Sequence, residues 1–212
     1  MKRSAILIAA WLCLTSANAQ LRTEKHIDFS GKESVELNIQ IADSITIRTW
    51  DKNEIYATAS VNVNDNKDND AYQISFGESG KTAEIKASFK KDFWEDKKNN
   101  CCTRSDIRWK IYIPAETEFS VETINGDIII AGKTSAMKVN TISGFIDLAV
   151  PASKNADLEF STITGTVFTN HTLSANSKPS GHSSDFRQKL NNGGPLIKLA
   201  TISGDIFFRK AD

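Results

Sequence analysis

Four segments of the chain repeat one short pattern, and that pattern limits the fold more than any bulk property does. They are Val121-Glu122-Thr123-Ile124-Asn125-Gly126-Asp127-Ile128, Val139-Asn140-Thr141-Ile142-Ser143-Gly144-Phe145-Ile146, Phe160-Ser161-Thr162-Ile163-Thr164-Gly165-Thr166-Val167 and Leu199-Ala200-Thr201-Ile202-Ser203-Gly204-Asp205-Ile206. The shared pattern is apolar-x-Thr-Ile-(Asn/Ser/Thr)-Gly-x-apolar, and its starts lie 18, 21 and 39 residues apart. A period near twenty residues marks a stacked, quasi-one-dimensional architecture. Thr and Ile are β-branched and favour extended backbone over helix. A small polar residue followed by Gly is turn chemistry, because Gly adopts positive φ without steric cost. Beyond each Gly, apolar residues alternate, as in Ile128/Ile130, Ile146/Leu148 and Ile206/Phe208, so one side of each unit faces inward.

One such unit cannot bury its apolar face alone, whereas successive units laid side by side can. The expectation is a column formed by Gly126, Gly144, Gly165 and Gly204 at one edge. Thr123, Thr141, Thr162 and Thr201 form a ladder beside it. This motif reads first as scaffold and second as a binding face, since fold alone does not imply function.

The front half is also β-rich, on a looser plan. Val35–Ile39, Ser44–Trp50 and Ile55–Val61 alternate as strands, Ile74–Phe76 and Ala83–Phe89 form a further pair, and Ile107–Ile113 is a strand stopped by Pro114. No window shows a helical period. Two stretches interrupt the pattern. The charged segment 90–104 reads as a surface excursion, and the Ser-, Asn- and Gly-rich segment 171–195 as a long loop or a degenerate repeat with an insertion.

The chain opens with Lys2 and Arg3, an apolar run from Ala5 to Leu14, and Ala17-Asn18-Ala19 before Gln20. That is the three-part layout of a cleaved secretory signal, too short for a permanent anchor. Lipidation at Cys13 is disfavoured by the bulky Trp11 and Leu12 before it. The expected organisation is a signal peptide over 1–19 and a single β-repeat domain over 20–212. Within the domain, 20–115 is the front half and 116–212 the repeat stack. Removing Lys2 and Arg3 leaves 24 basic side chains against 26 acidic ones, which offers no field to attract nucleic acid. No later segment is apolar enough to span a membrane. The mature product is expected in the periplasm or at the cell surface.

The Ser44–Trp50 strand with Asp51 after it, the Tyr112-Ile113-Pro114 step and the Asn191-Asn192-Gly193-Gly194 run before the last repeat resemble the bacterial "putative adhesin" domain of unknown function. This is a β-repeat family of toast-rack type, and the resemblance covers roughly residues 33–209. It implies an all-β, right-handed β-solenoid-like stack in the cell envelope. The family supplies no catalytic residues, so none are carried over.

The three His residues, His26, His171 and His182, lack a nucleophile signature, so no triad is expected. Asp65, Asp68 and Asp70 cluster in one loop, but the sixth and twelfth places of a calcium loop hold Asp70 and Phe76, so no metal site is expected. No phosphate loop, dinucleotide fingerprint or zinc spacing is present, and no cofactor is implied. Asp127 and Asp205 are the leading carboxylates for a carbohydrate-active enzyme, yet intervening rungs should keep them from forming a close pair. Adjacent Cys101 and Cys102 are candidates for a vicinal disulfide or redox handle. Trp50 and Trp109 read as core, whereas Trp94 with Phe93 reads as a candidate exposed contact. The sequence thus points to a non-catalytic, adhesin-like scaffold or binding module whose partner is an envelope protein or a surface glycan. The alternatives are an envelope-signalling partner using the Cys pair and, behind it, a carbohydrate-active enzyme.

Overall fold

The computed structural model describes residues 21–96, 103–173 and 186–211. The expected signal segment, Cys101, Cys102 and His182 lie outside these. Among the described residues, fifteen strands form one mixed sheet, together with a three-residue 3-10 turn at Asn69–Ala71 and a single helical turn at Phe93–Asp96.

Most of the sheet is built from rungs of two limbs. In the front half, β2 (Ser34–Ile39) leads into β3 (Ile41–Trp50), and β6 (Thr82–Phe89) is followed by β7 (Ser105–Pro114). In the back half, β8 (Glu118–Ala131) carries both limbs in one strand. The remaining pairs are β9 (Met137–Ser143) with β10 (Ile146–Val150), β11 (Ala156–Thr164) with β12 (Val167–Thr169), and β14 (Leu196–Ser203) with β15 (Ile206–Lys210). First limbs pair in parallel in the order β6-β2-β8-β9-β14-β11. Second limbs pair in parallel in the order β7-β3-β8-β10-β15-β12.

Antiparallel strands cover parts of the ends. On the first limbs these are β5 (Tyr72–Ser79) against β6 and β13 (Phe186–Leu190) against β11. On the second limbs, β4 (Glu54–Val63) lies against β7, and β1 (Leu21–Asp28) against β4. The sheet does not close on itself.

The alternation seen in the sequence sets which side faces inward. In β4, Ile55, Ala57, Ala59, Val61 and Val63 are all buried, and the residues between them are not. In the rungs, Val121, Val139, Leu199 and Phe160 from the first limbs belong to one apolar cluster with Ile128, Ile146, Ile206 and Phe208 from the second. Each limb hides the apolar side that its neighbour could not bury alone.

Three expectations are corrected. The front half is not on a separate plan, because Leu37 pairs with Val121 and Ile45 with Ile128, so β2–β3 and β6–β7 are rungs of the same ladders. The repeats do not stack in chain order, because the fourth unit (β14–β15) lies between the second and the third. The segment 171–195, expected as a long loop or a degenerate repeat with an insertion, is neither over Phe186–Leu190, which forms an edge strand antiparallel to β11 where the repeat limbs pair in parallel. The strand Leu21–Asp28 was not anticipated, since its mostly polar residues show no inward-facing alternation.

Candidate functional site

The rung corners bring the four repeats together. Thr123, Thr141, Thr201 and Thr162 stand opposite one another across the ladder, in that spatial order. All four are buried, and their hydroxyls donate to carbonyls of the turns. Thr141 bonds Ser143 O at 2.9 Å, Thr201 bonds Gly144 O at 3.3 Å, and Thr162 bonds Gly204 O at 3.0 Å, while Thr123 reaches both Gln40 O and Asn125 O. A buried hydroxyl needs such a partner, and a turn carbonyl needs such a donor. The glycines run beside them as Gly126, Gly144, Gly204 and Gly165; Gly126 lies against the Ala42 carbonyl, and each of the other three against the carbonyl of the glycine before it.

The positions after the glycines serve the same stack. The Asp127 carboxylate accepts the Phe145 amide at 3.2 Å, and that of Asp205 accepts the Thr166 amide at 2.8 Å. Because the fourth unit is inserted, only the Phe145 rung separates the two Asp residues, fewer than chain order implies. That places them roughly 10 Å apart at the ordinary strand spacing. Each carboxylate is engaged with the next rung's backbone, which makes both of them turn supports.

The outward side of the same motif is apolar. Ile124, Ile142, Ile202 and Ile163 alternate with the buried Thr residues and are 46–62% exposed. They form one row across four rungs, along a groove of about 540 Å³. Asn38, Glu122, Asn140, Ala200 and Ser161 line it beside that row, with Gln40 at the β2 end. The motif's invariant Ile was legible in the sequence, but a β-branched residue beside a core Thr reads as strand filling. Only the parity of the strand shows that it points outward.

The aromatic candidates separate. Trp109 is 1% exposed and lies in the core. Trp50, expected there as well, lies instead on the outer side of the second limbs, half-buried beside Tyr112 and Tyr56 with ring centroids 5.2 and 6.1 Å away. Its indole N–H donates to Glu54 O, and Lys52 Nζ sits 4.6 Å from its ring centroid. The register of β3 runs unbroken from Ser44 to Trp50, so the alternation that turns Ile45 and Ile47 inward puts Trp50 on the outer face with Thr46 and Arg48. Phe93 is buried against Phe89, which leaves Trp94 as the exposed member of the expected pair, and neither lines the groove.

Among the described residues, no group of three His, Cys, Asp or Glu side chains could hold a metal ion, and no helix is long and apolar enough to cross a membrane. His171 is buried, stacked on Phe208 at 4.5 Å, and its Nε2 has no hydrogen-bond partner among the described residues. Burial holds its pKa below the ordinary histidine value, with a smaller opposing contribution from the Arg209 backbone. Below a pH of about 6.5 the unfolded chain takes up a proton that the folded chain resists, so stability falls as pH drops through that value. His171→Phe should therefore flatten the fall in thermal midpoint between about pH 7.5 and pH 5.5. An unchanged slope would remove His171 as its source.

The fold defined by these ladders is shared with a known structure. A crystal structure described as a "putative cell adhesion protein" from Clostridium sporogenes matches 91% of this chain and 100% of its own, at 12% identity and a TM-score of 0.62. That likeness is one of fold. A "putative adhesin" from Bacteroides fragilis matches 92% of this chain and 99% of its own at 8% identity, but its TM-score of 0.26 carries no argument. No family model matches the chain, and neither does any curated protein.

Proposed function

We propose that this chain is an exported, non-catalytic binding module of the adhesin kind, with its rungs forming a β-solenoid-like stack of toast-rack type and its partner in the cell envelope. The observation that carries this reading is the exposed isoleucine row. A row of half-exposed branched side chains is costly to leave in water, and a contiguous apolar stripe of this sort marks an interaction site. The fold likeness to a protein described as a "putative cell adhesion protein" supports the same reading. So do the turn duties of Asp127 and Asp205, which leave the leading carboxylate pair committed to structure.

The test is retention of the purified mature chain on isolated cell-envelope material. Wild-type protein should be retained. The double variant Ile142→Lys/Ile202→Lys, altered only at exposed positions, should be retained at least about tenfold less, because a charge at each site must be desolvated against any apolar partner. Equal retention of the two proteins would refute the reading.

A further inference from the structure

The groove has a width, a length and a repeat, and together these select its occupant. It is floored by a single row of isoleucines, one per rung, from Ile124 through Ile142 and Ile202 to Ile163. We propose that it binds the acyl chain of a free fatty acid, laid across the rungs along the isoleucine row. This deepens the binding-module reading and rests on it.

The repeat excludes an extended peptide as the natural occupant. Rungs recur about every 4.8 Å, whereas same-face side chains of an extended strand recur about every 6.8 Å, so the two fall out of register within two rungs. A polymethylene chain has no side chains and no register to lose. A sugar is disfavoured because the groove has no aromatic ring on which to stack it. A second copy of this chain is disfavoured by area. One row of four half-exposed isoleucines presents a few hundred Å², well below the roughly 800 Å² per partner of a stable interface. The groove volume of about 540 Å³ instead lies in the range of small-molecule sites.

Width and length narrow the ligand further. One row of isoleucines matches one chain, and a diacyl lipid would leave its second chain in water. Four rungs span about 14 Å, the reach of about ten to twelve extended carbons. The carboxylate belongs at the Ile163 end. Ile163 is the most exposed of the four at 62%, so a charged head there stays in water.

The test titrates the purified mature chain with cis-parinaric acid, a fluorescent fatty acid. Saturable one-to-one binding is expected, with dodecanoate displacing the probe about tenfold more effectively than octanoate, since each buried methylene adds affinity. Ile142→Glu and Ile202→Glu should each weaken binding on the order of tenfold or more with an unchanged circular dichroism spectrum, while Ile142→Leu should retain it. Three results would overturn the proposal: no saturable binding by the wild type, equal binding by the Glu variants, or no dependence on chain length. Sedimentation showing a dimer that Ile142→Glu dissociates would overturn it too, giving the row to a second copy. Envelope retention that persists without fatty-acid binding would remove the acyl chain alone. Loss of both in the wild type would remove the binding-module reading as well.

Discussion

Gly204→Ala destabilises the protein by about 3 kcal/mol or more. Two costs combine at this position. Gly204 has φ +152°, which a side chain rarely adopts, and an added Cβ would lie 2.1 Å from the Gly144 carbonyl oxygen and 2.7 Å from its carbon. The obstacle is backbone, so no side chain can swing away, and the rungs would have to part. Gly204 is also the hinge of a corner served from both sides. Its carbonyl accepts the Thr162 hydroxyl, and its amide donates to Thr164 O. Parting the rungs would therefore cost hydrogen bonds as well as contact. Gly77→Ala is the control, since nothing lies within 4 Å of its added Cβ and its φ is not strained. It should stay within about 0.5 kcal/mol of the wild type. Urea unfolding midpoints of the three proteins decide the matter. A Gly204→Ala loss below about 1 kcal/mol would contradict the close packing of the corner column.

The corners were the legible part of this molecule, for a physical reason. A Gly that must accept a neighbour's carbonyl and a Thr that must cap a turn admit few substitutes, so the pattern survives four times in the chain. The rung formed by β2 and β3 escaped notice because it solves the same corner differently. Ile39 lies at the level of the buried Thr residues and Gln40 at that of the exposed Ile, and a bulge between Ile41 and Ser44 replaces the glycine. Stacking order was illegible because every unit offers its neighbours the same edges. What seats the fourth unit beside the second is pairing such as Leu199 with Val139, which no local pattern announces. The groove was half legible. The Ile residues stood in the motif, but their outward direction became plain only once the Thr beside each was seen to be buried.

That alternative corner also identifies the second large effect, Trp109→Ala, which should cost about 3–5 kcal/mol. Trp109 is the largest fully buried side chain among the described residues, on β7 between Ile45 of β3 and Ala59 of β4. Its indole N–H donates to the Tyr72 hydroxyl at 3.3 Å, and that hydroxyl donates to Ile41 O at 2.9 Å. Tyr72 thus does for the bulged corner what the Thr hydroxyls do for the glycine corners. Burial pushes its phenol far above the ordinary tyrosine range, so it remains a donor throughout the pH range in which the fold persists. Truncating Trp109 opens a cavity among the rungs that join the front half to the repeats and removes one hydrogen bond from Tyr72. Trp109→Phe, which keeps most of the volume but not the N–H, should cost roughly half as much. Tyr72→Phe should cost about 1–2 kcal/mol by orphaning Ile41 O. Because the two residues share one chain of hydrogen bonds, the double change Trp109→Phe/Tyr72→Phe should cost less than the sum of the singles, by about 0.5 kcal/mol or more. Additive losses in urea unfolding would show that the relay from indole to phenol to corner carbonyl does not couple them, and that Trp109 acts by volume alone.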